Sequence, residues 1–159
     1  MKFAGPLHNP ATTAVLIITG LLTGAGMPAR ADEAPAASTS SAPPYTVVCE
    51  TNEAEGATVC KVDKQTYIGW RTYHAVCHVC HAQDAVGSTF APSLVERVGA
   101  ISEERFMDVV ANGYTGQIGV MPAWKDNPNV NKRYDALYSY LKARADGVLP
   151  PGRPQRLDK

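Results

Sequence analysis

Cys77-His78-Val79-Cys80-His81 is the stretch on which the reading of this chain turns. Two thiols three positions apart on a helical turn lie near one face, with an imidazole directly after the second. That C-x-x-C-H spacing lets both sulfurs add to the two vinyl groups of one haem while His81 reaches its iron, so the pattern marks c-type haem attachment. Two other chemistries use related spacings. A reducible C-x-x-C of the thioredoxin type needs a strand before it, whereas the residues preceding Cys77 have helical spacing. A four-thiolate zinc site would recruit Cys49 and Cys60, but ten residues separate them where such sites use two to four.

Outward from the motif, helical spacing begins at Asp63, a suitable cap, and runs through Tyr67, Ile68, Trp70, Arg71 and Tyr73. Gly69 inside this helix costs about 1 kcal/mol relative to Ala, and close approach of a crossing helix gives it a purpose. The aromatic-rich stretch from Asn131 to Ala143, carrying Tyr134, Leu137, Tyr138, Tyr140 and Leu141, supplies that second helix.

A low-spin haem needs a second axial ligand. Past residue 31 the chain has two methionines, Met107 and Met121. Met107 lies within a predicted helix that starts at Ser102 and stops at Gly113, on which Phe106, Val109 and Val110 form an apolar side. Core packing accounts for it. Met121 lies in Gly119-Val-Met-Pro-Ala-Trp124, where Pro122 keeps the chain extended and able to aim a thioether at iron. We assign Met121. His74 and His78 are expected to be solvated side chains rather than ligands.

The 159 residues are 45% hydrophobic and 19% charged, which describes one small domain and excludes a large catalytic scaffold. Fifteen basic residues balance fifteen acidic ones, so no nucleic-acid-binding stripe is expected. Residues 1–31 have the form of a signal peptide, with Lys2, an apolar run from Ala14 to Leu22 and the small-residue site Ala29-Arg30-Ala31. The run is too short for a membrane span, which needs roughly 20 helical residues. Export points to a periplasmic protein whose cysteines are oxidised or occupied. Residues 32–44 read as a flexible Ala/Pro/Ser linker and residues 147–159, with Pro150, Pro151 and Pro154, as a flexible tail. The domain between them, 45–146, divides into a hairpin at 45–62 and a haem domain at 63–146.

The segment from Lys64 to Ala143 resembles a class I cytochrome c. The resemblance rests on Gly69, Tyr73, Cys77, Cys80 and His81, on Ala91-Pro92-Ser93-Leu94, on Met121-Pro122 and on Leu137-x-x-Tyr140-Leu141. It implies a mainly α, class I cytochrome c fold with one covalent haem c and terminal helices crossed at Gly69 and Leu137. It also implies that Pro92 offers its carbonyl to the Nδ1 proton of His81 and that Leu94 packs against the porphyrin. Cys49 and Cys60 ahead of this segment resemble the extra pair of the four-cysteine, methanol-metabolism-related periplasmic cytochromes c associated with quinoprotein alcohol dehydrogenases. Both cysteines have strand-like flanks around the polar stretch from Glu50 to Gly56, so a disulfide across a short hairpin is expected.

Iron held by His81 and Met121 has no open position, which describes an electron carrier and not an enzyme. Low polarity from Leu94, Phe106 and Trp124 would favour the reduced state. The resemblance implies transient partners: a quinoprotein alcohol dehydrogenase upstream and an oxidase or second cytochrome downstream. A haem-based sensor or peroxidase-like protein with an open iron site is the alternative, separated by whether Met121 binds the iron.

Overall fold

A computed structural model describes residues 42–54 and 56–158. The expected signal peptide at 1–31 lies outside them, as does the expected linker at 32–44 apart from its last three residues. Strands β1 (Val47–Asn52) and β2 (Ala57–Val62) pair antiparallel with Cys49 opposite Cys60, and the two sulfurs are bonded at 2.03 Å. Alternation turns Cys60 and Val62 into the core and leaves Val48 and Val59 exposed. The strands run further into the polar stretch than expected, with Thr51 and Thr58 hydrogen-bonded across the pair at 3.2 Å.

Helix α1 (Lys64–Thr72) starts where expected, because the Asp63 carboxylate accepts from the amide of Thr66 at 2.9 Å. It also accepts from the amide of Thr46 at 2.6 Å, which ties the hairpin to the helix. The chain then widens into one π-helical turn (Tyr73–Cys77) before α2 (His78–His81). Helix α3 (Leu94–Gly99) is capped by Ser93, and α4 (Glu103–Asn112) runs from Ser102 to Gly113, the limits its sequence predicts. Short strands β3 (Tyr114–Thr115) and β4 (Val120–Met121) pair with each other. A 3-10 turn at Asn131–Arg133 leads into α5 (Tyr134–Ala145), so the α-helical part of the last helix begins three residues later than its pattern suggests.

The expected crossing of the terminal helices is present. A Cβ at Gly69 would lie 1.8 Å from the Ala136 carbonyl oxygen and 2.9 Å from the Tyr140 Cβ, so backbone meets backbone there. Leu137, between those two, is buried among Tyr73, Tyr140, Val98 and Val130. Among the described residues no helix is long and apolar enough to cross a membrane.

The stretch 147–159 departs from expectation. It is no flexible tail over its described part: Leu149 is 2% exposed, Pro154 is buried, and β5 (Gln155–Arg156) adds to β2 as a parallel third strand. Arg144 donates to the Leu149 carbonyl at 2.5 Å, the Gly152 amide donates to Asp84 at 2.8 Å, and the Leu157 amide donates to the Val62 carbonyl at 2.9 Å. Its prolines, which look like signs of disorder, restrict the unfolded chain and so lower the entropy lost on docking.

Candidate haem site

The motif is presented by α2 at the end of the π-helical turn, with Cys77 half-buried and Cys80 exposed as the two free thiols among the described residues. Burial, and after it the neighbouring Cys80, pushes the Cys77 thiol up to about 12. A thiol held protonated at neutral pH is a poor nucleophile for disulfide exchange, which speaks against a thioredoxin-like role. The other two cysteines are already joined, so no four-thiolate zinc site exists; among the described residues no group of three or more His, Cys, Asp or Glu side chains is placed to hold a metal ion.

His81 is buried, and its Nδ1 lies 3.0 Å from the Pro92 carbonyl oxygen, the bond expected for it. A carbonyl can only accept, so Nδ1 carries the proton and Nε2 is left with its lone pair. Burial lowers the pKa of His81 and the bond to Pro92 only partly offsets this, so the ring is neutral and able to ligate. Gly87 makes the contact possible: its φ is +88° and a Cβ there would lie 2.5 Å from the Ser93 nitrogen and 2.9 Å from the Pro92 carbonyl carbon. The returning loop is fixed by Gly87 donating to the His81 carbonyl at 2.9 Å and by Ser88 Oγ donating to the Cys80 carbonyl at 2.5 Å.

Directly after His81, three residues other than glycine, Ala82, Asp84 and Ala85, adopt positive φ. Such a conformation persists only where its surroundings over-determine it. Tyr73 Oη donates to the Ala82 carbonyl at 2.6 Å, and the guanidinium of the buried Arg144 donates to the Asp84 carbonyl at 3.1 Å. These residues lock the chain as it leaves the motif, and nothing in their spacing announced it.

Met121 reaches the same core from β4. Gly113 at the end of α4 has φ +78°, and a Cβ there would lie 2.6 Å from the Met121 carbonyl oxygen and 2.9 Å from the Ala123 nitrogen. The Trp124 amide donates to the Val110 carbonyl at 3.1 Å and that of Lys125 to Ala111 at 3.2 Å, so the Met121-Pro122 segment is held against the end of α4. Leu94, Trp124 and Cys77 border the same core, as does Met107 from within α4. His74 and His78 are not the solvated side chains expected. His74 is half-buried, with Nδ1 2.9 Å from the Trp70 carbonyl oxygen and Nε2 4.0 Å from Asp84, because the left-handed turn carries Asp84 over the helix. His78 is also half-buried, and its Nδ1 has no partner among the described residues.

Comparison with known proteins places the chain in a family. Residues 65–141 match the family described as cytochrome c oxidase, cbb3-type, subunit III. The chain is similar to cytochrome c-555 of Methylococcus capsulatus, with 33% identity over 96 residues that cover 60% of this chain and 75% of that one. This chain is a c-type cytochrome. It is also similar to cytochrome c-553I of Paracoccus denitrificans, 45% identical over 103 residues, although the match covers only 46% of that longer protein and 62% of this chain. The c-type cytochrome XoxG from Methylobacterium extorquens AM1 superposes with a TM-score of 0.59 at 42% identity, over 66% of this chain and 70% of that one.

The cytochrome therefore has the mainly helical cytochrome c fold with an N-terminal disulfide-stapled hairpin, is an electron-transfer protein, and carries one covalent haem c. Its residues fit that group: two unpaired thiols at attachment spacing and a neutral imidazole whose Nδ1 donates to a carbonyl, leaving Nε2 free. The supports not foreseen from the sequence are Ser88, Arg144 and the bond that Tyr73, itself noted on the helix, makes to the Ala82 carbonyl. Gly87 and Gly113 were the available signals, since an isolated glycine beside a motif marks a close backbone approach.

Proposed function

We propose that this cytochrome is a periplasmic electron carrier whose haem is bonded through Cys77 and Cys80 and whose iron is held by His81 Nε2 and the Met121 sulfur. The observation that supports this reading is the 3.0 Å contact of His81 Nδ1 with Pro92, which leaves the other ring nitrogen with its lone pair free for iron. Bound haem supplies a one-electron couple at iron. The residues around it set the conditions: Pro92 orients the imidazole, Gly113 and Pro122 hold Met121 against α4, and Leu94 and Trp124 lower the polarity of the surroundings. With His81 and Met121 both holding the iron, the bound group would gain or lose an electron without exchanging ligands.

The upstream donor in this reading is a pyrroloquinoline-quinone alcohol dehydrogenase acting on methanol, and the acceptor is an oxidase or a second cytochrome. Support comes from the extra disulfide ahead of the haem motif, the feature in which the chain resembles methanol-metabolism-related cytochromes, and from its similarity to XoxG. Docking is expected to be weak and short-lived, since turnover requires release.

Two measurements test this. The ferric protein should show the weak far-red sulfur-to-iron band, lost in Met121→Ala and retained in Met107→Leu; the converse pattern transfers the ligand role to Met107, and a five-coordinate wild type supports the sensor or peroxidase reading. In stopped flow, a quinoprotein methanol dehydrogenase should reduce the holoprotein in a second-order reaction, and failure to do so removes the assigned donor.

A further inference from the structure

Helix α1 and the docked C-terminal segment border an open cleft of about 420 Å³ lined by Tyr67, Arg153, Pro154, Gln155 and Arg156. Its rim is cationic. Lys64 and Arg71 are exposed on the α1 stripe that includes Tyr67, at the i, i+3, i+7 spacing of one helix face. Arg153 is exposed and Arg156 half-exposed on the segment packed against that stripe. Two carboxylates lie close by: Asp158 pairs with Arg156 at 2.8 Å, and Asp63 is committed to capping α1. The surface following Met121, by contrast, mixes Lys125, Lys132 and Arg133 with Asp126 and Asp135.

The cleft also has a connection inward. The Arg153 guanidinium lies 5.5 Å from the centre of the Trp70 ring and donates to Tyr67 Oη at 3.1 Å. From Tyr67 a column of rings continues along the helix: Tyr67 to Trp70 at 5.6 Å, Trp70 to His74 at 4.9 Å, and His74 to His78 stacked at 6.3 Å between centroids. His78 lies between the two attachment cysteines. Neighbouring rings in near contact couple electronically far better than the same span crossed through aliphatic packing or solvent. An ordinary aromatic core stripe has no reason to end at a charged cleft.

We propose that this cleft is a second electron port, at which a partner protein presenting a carboxylate-rich surface docks on Arg153 and Arg156 and exchanges one electron with the haem along the Tyr67, Trp70, His74, His78 column. The transfer is a simple outer-sphere exchange: the donor's centre loses one electron, the ferric haem gains it, no bond forms, and no ring is itself oxidised. The inference rests on the electron-carrier reading above.

The test uses the holoprotein and two anionic probes that stand in for partner carboxylates. Hexacyanochromate(III), paramagnetic and inert to redox exchange, should broaden the backbone amide resonances of Tyr67, Gln155 and Arg156 more than those of Lys132 and Arg133, and a hexaglutamate peptide should displace it. R153E/R156E should abolish that broadening and slow oxidation of the ferrous protein by hexacyanoferrate(III) about tenfold, while K132E/R133E, with the same change in net charge, should slow it less. Trp70→Leu should slow the reaction with the broadening unchanged, and Trp70→Phe should restore much of the rate. Broadening centred on Lys132 and Arg133, equal losses in the two charge variants, or a Trp70→Leu rate equal to wild type overturns the port. Broadening that the peptide does not displace identifies a small-anion site and overturns protein docking. If dithionite produces no spectral change the electron-carrier reading itself fails, whereas the resonance map reports on the cleft independently.

Discussion

Gly69 shows how little room one residue can leave. A Cβ there would enter the Ala136 carbonyl at 1.8 Å, and a helix backbone cannot retreat as a flexible side chain can. Gly69→Ala should therefore destabilise by about 2–3 kcal/mol despite the better helix propensity of Ala, measured by urea unfolding of the holoprotein; a stabilised variant would disprove the close crossing. At Gly87 the same reasoning reaches the site, because the Cβ would displace Pro92 and Ser93. Cysteines, histidine and glycines of this kind were legible as letters. Tyr73 and Arg144 were not, since a buried tyrosine and a basic residue near a helix end are common and their partners, the carbonyls of Ala82 and Asp84, lie far along the chain or in an unusual turn.

At the scale of elements, the start of α1 is both a cap and a joint. Burial raises the pKa of Asp63, but the bonds from Thr66 and Thr46 outweigh it and hold the carboxyl below its ordinary value. A depressed folded-state pKa adds stability above the ordinary carboxylate range and loses it as pH falls through the folded value. Asp63→Asn should thus be less stable than the native protein by about 1 kcal/mol at neutral pH, with the difference shrinking below about pH 4; a difference constant across that range would show that the carboxylate charge plays no part. The hairpin is held differently, by the Cys49–Cys60 bond between sites 11 residues apart. The Cys49→Ser/Cys60→Ser double variant should lose about 3 kcal/mol in the chain-entropy account, read from the unfolding midpoint. Helix limits at Asp63, Ser102 and Gly113 were readable because caps are local chemistry. The π-helical turn was not, because a one-residue widening leaves no periodic mark in so short a helix.

At the scale of the molecule, the C-terminal segment links the sheet, α1, α5 and the turn behind the haem motif. Leu149 fills the core, Arg144 holds its carbonyl, and Asp84 accepts from Gly152 while its own carbonyl accepts from Arg144. Leu149→Ala should cost about 3 kcal/mol, and ending the chain at Asp146 should lower the thermal midpoint further, both measured on haem-loaded protein. Midpoints unchanged in both variants would mean the segment merely rests on the surface.

The sequence alone determined the chemistry: C-x-x-C-H for covalent haem, the extra cysteine pair for a staple, helices that begin at Asp63 and Ser102, and a glycine that requires a crossing helix. Each of these is encoded by neighbours a few positions apart, where spacing and stereochemistry decide the outcome. Only the tertiary structure decided that residues 147–158 are part of the body, that Arg144 and Tyr73 support a left-handed turn, and that Arg153 stands over Trp70. Those contacts join residues as much as 94 positions apart, as in the pairing of Lys61 with Gln155. A proline-rich polar segment carries no periodic signal of its own, and its order comes from surfaces that exist only once α1, α5 and the hairpin have packed.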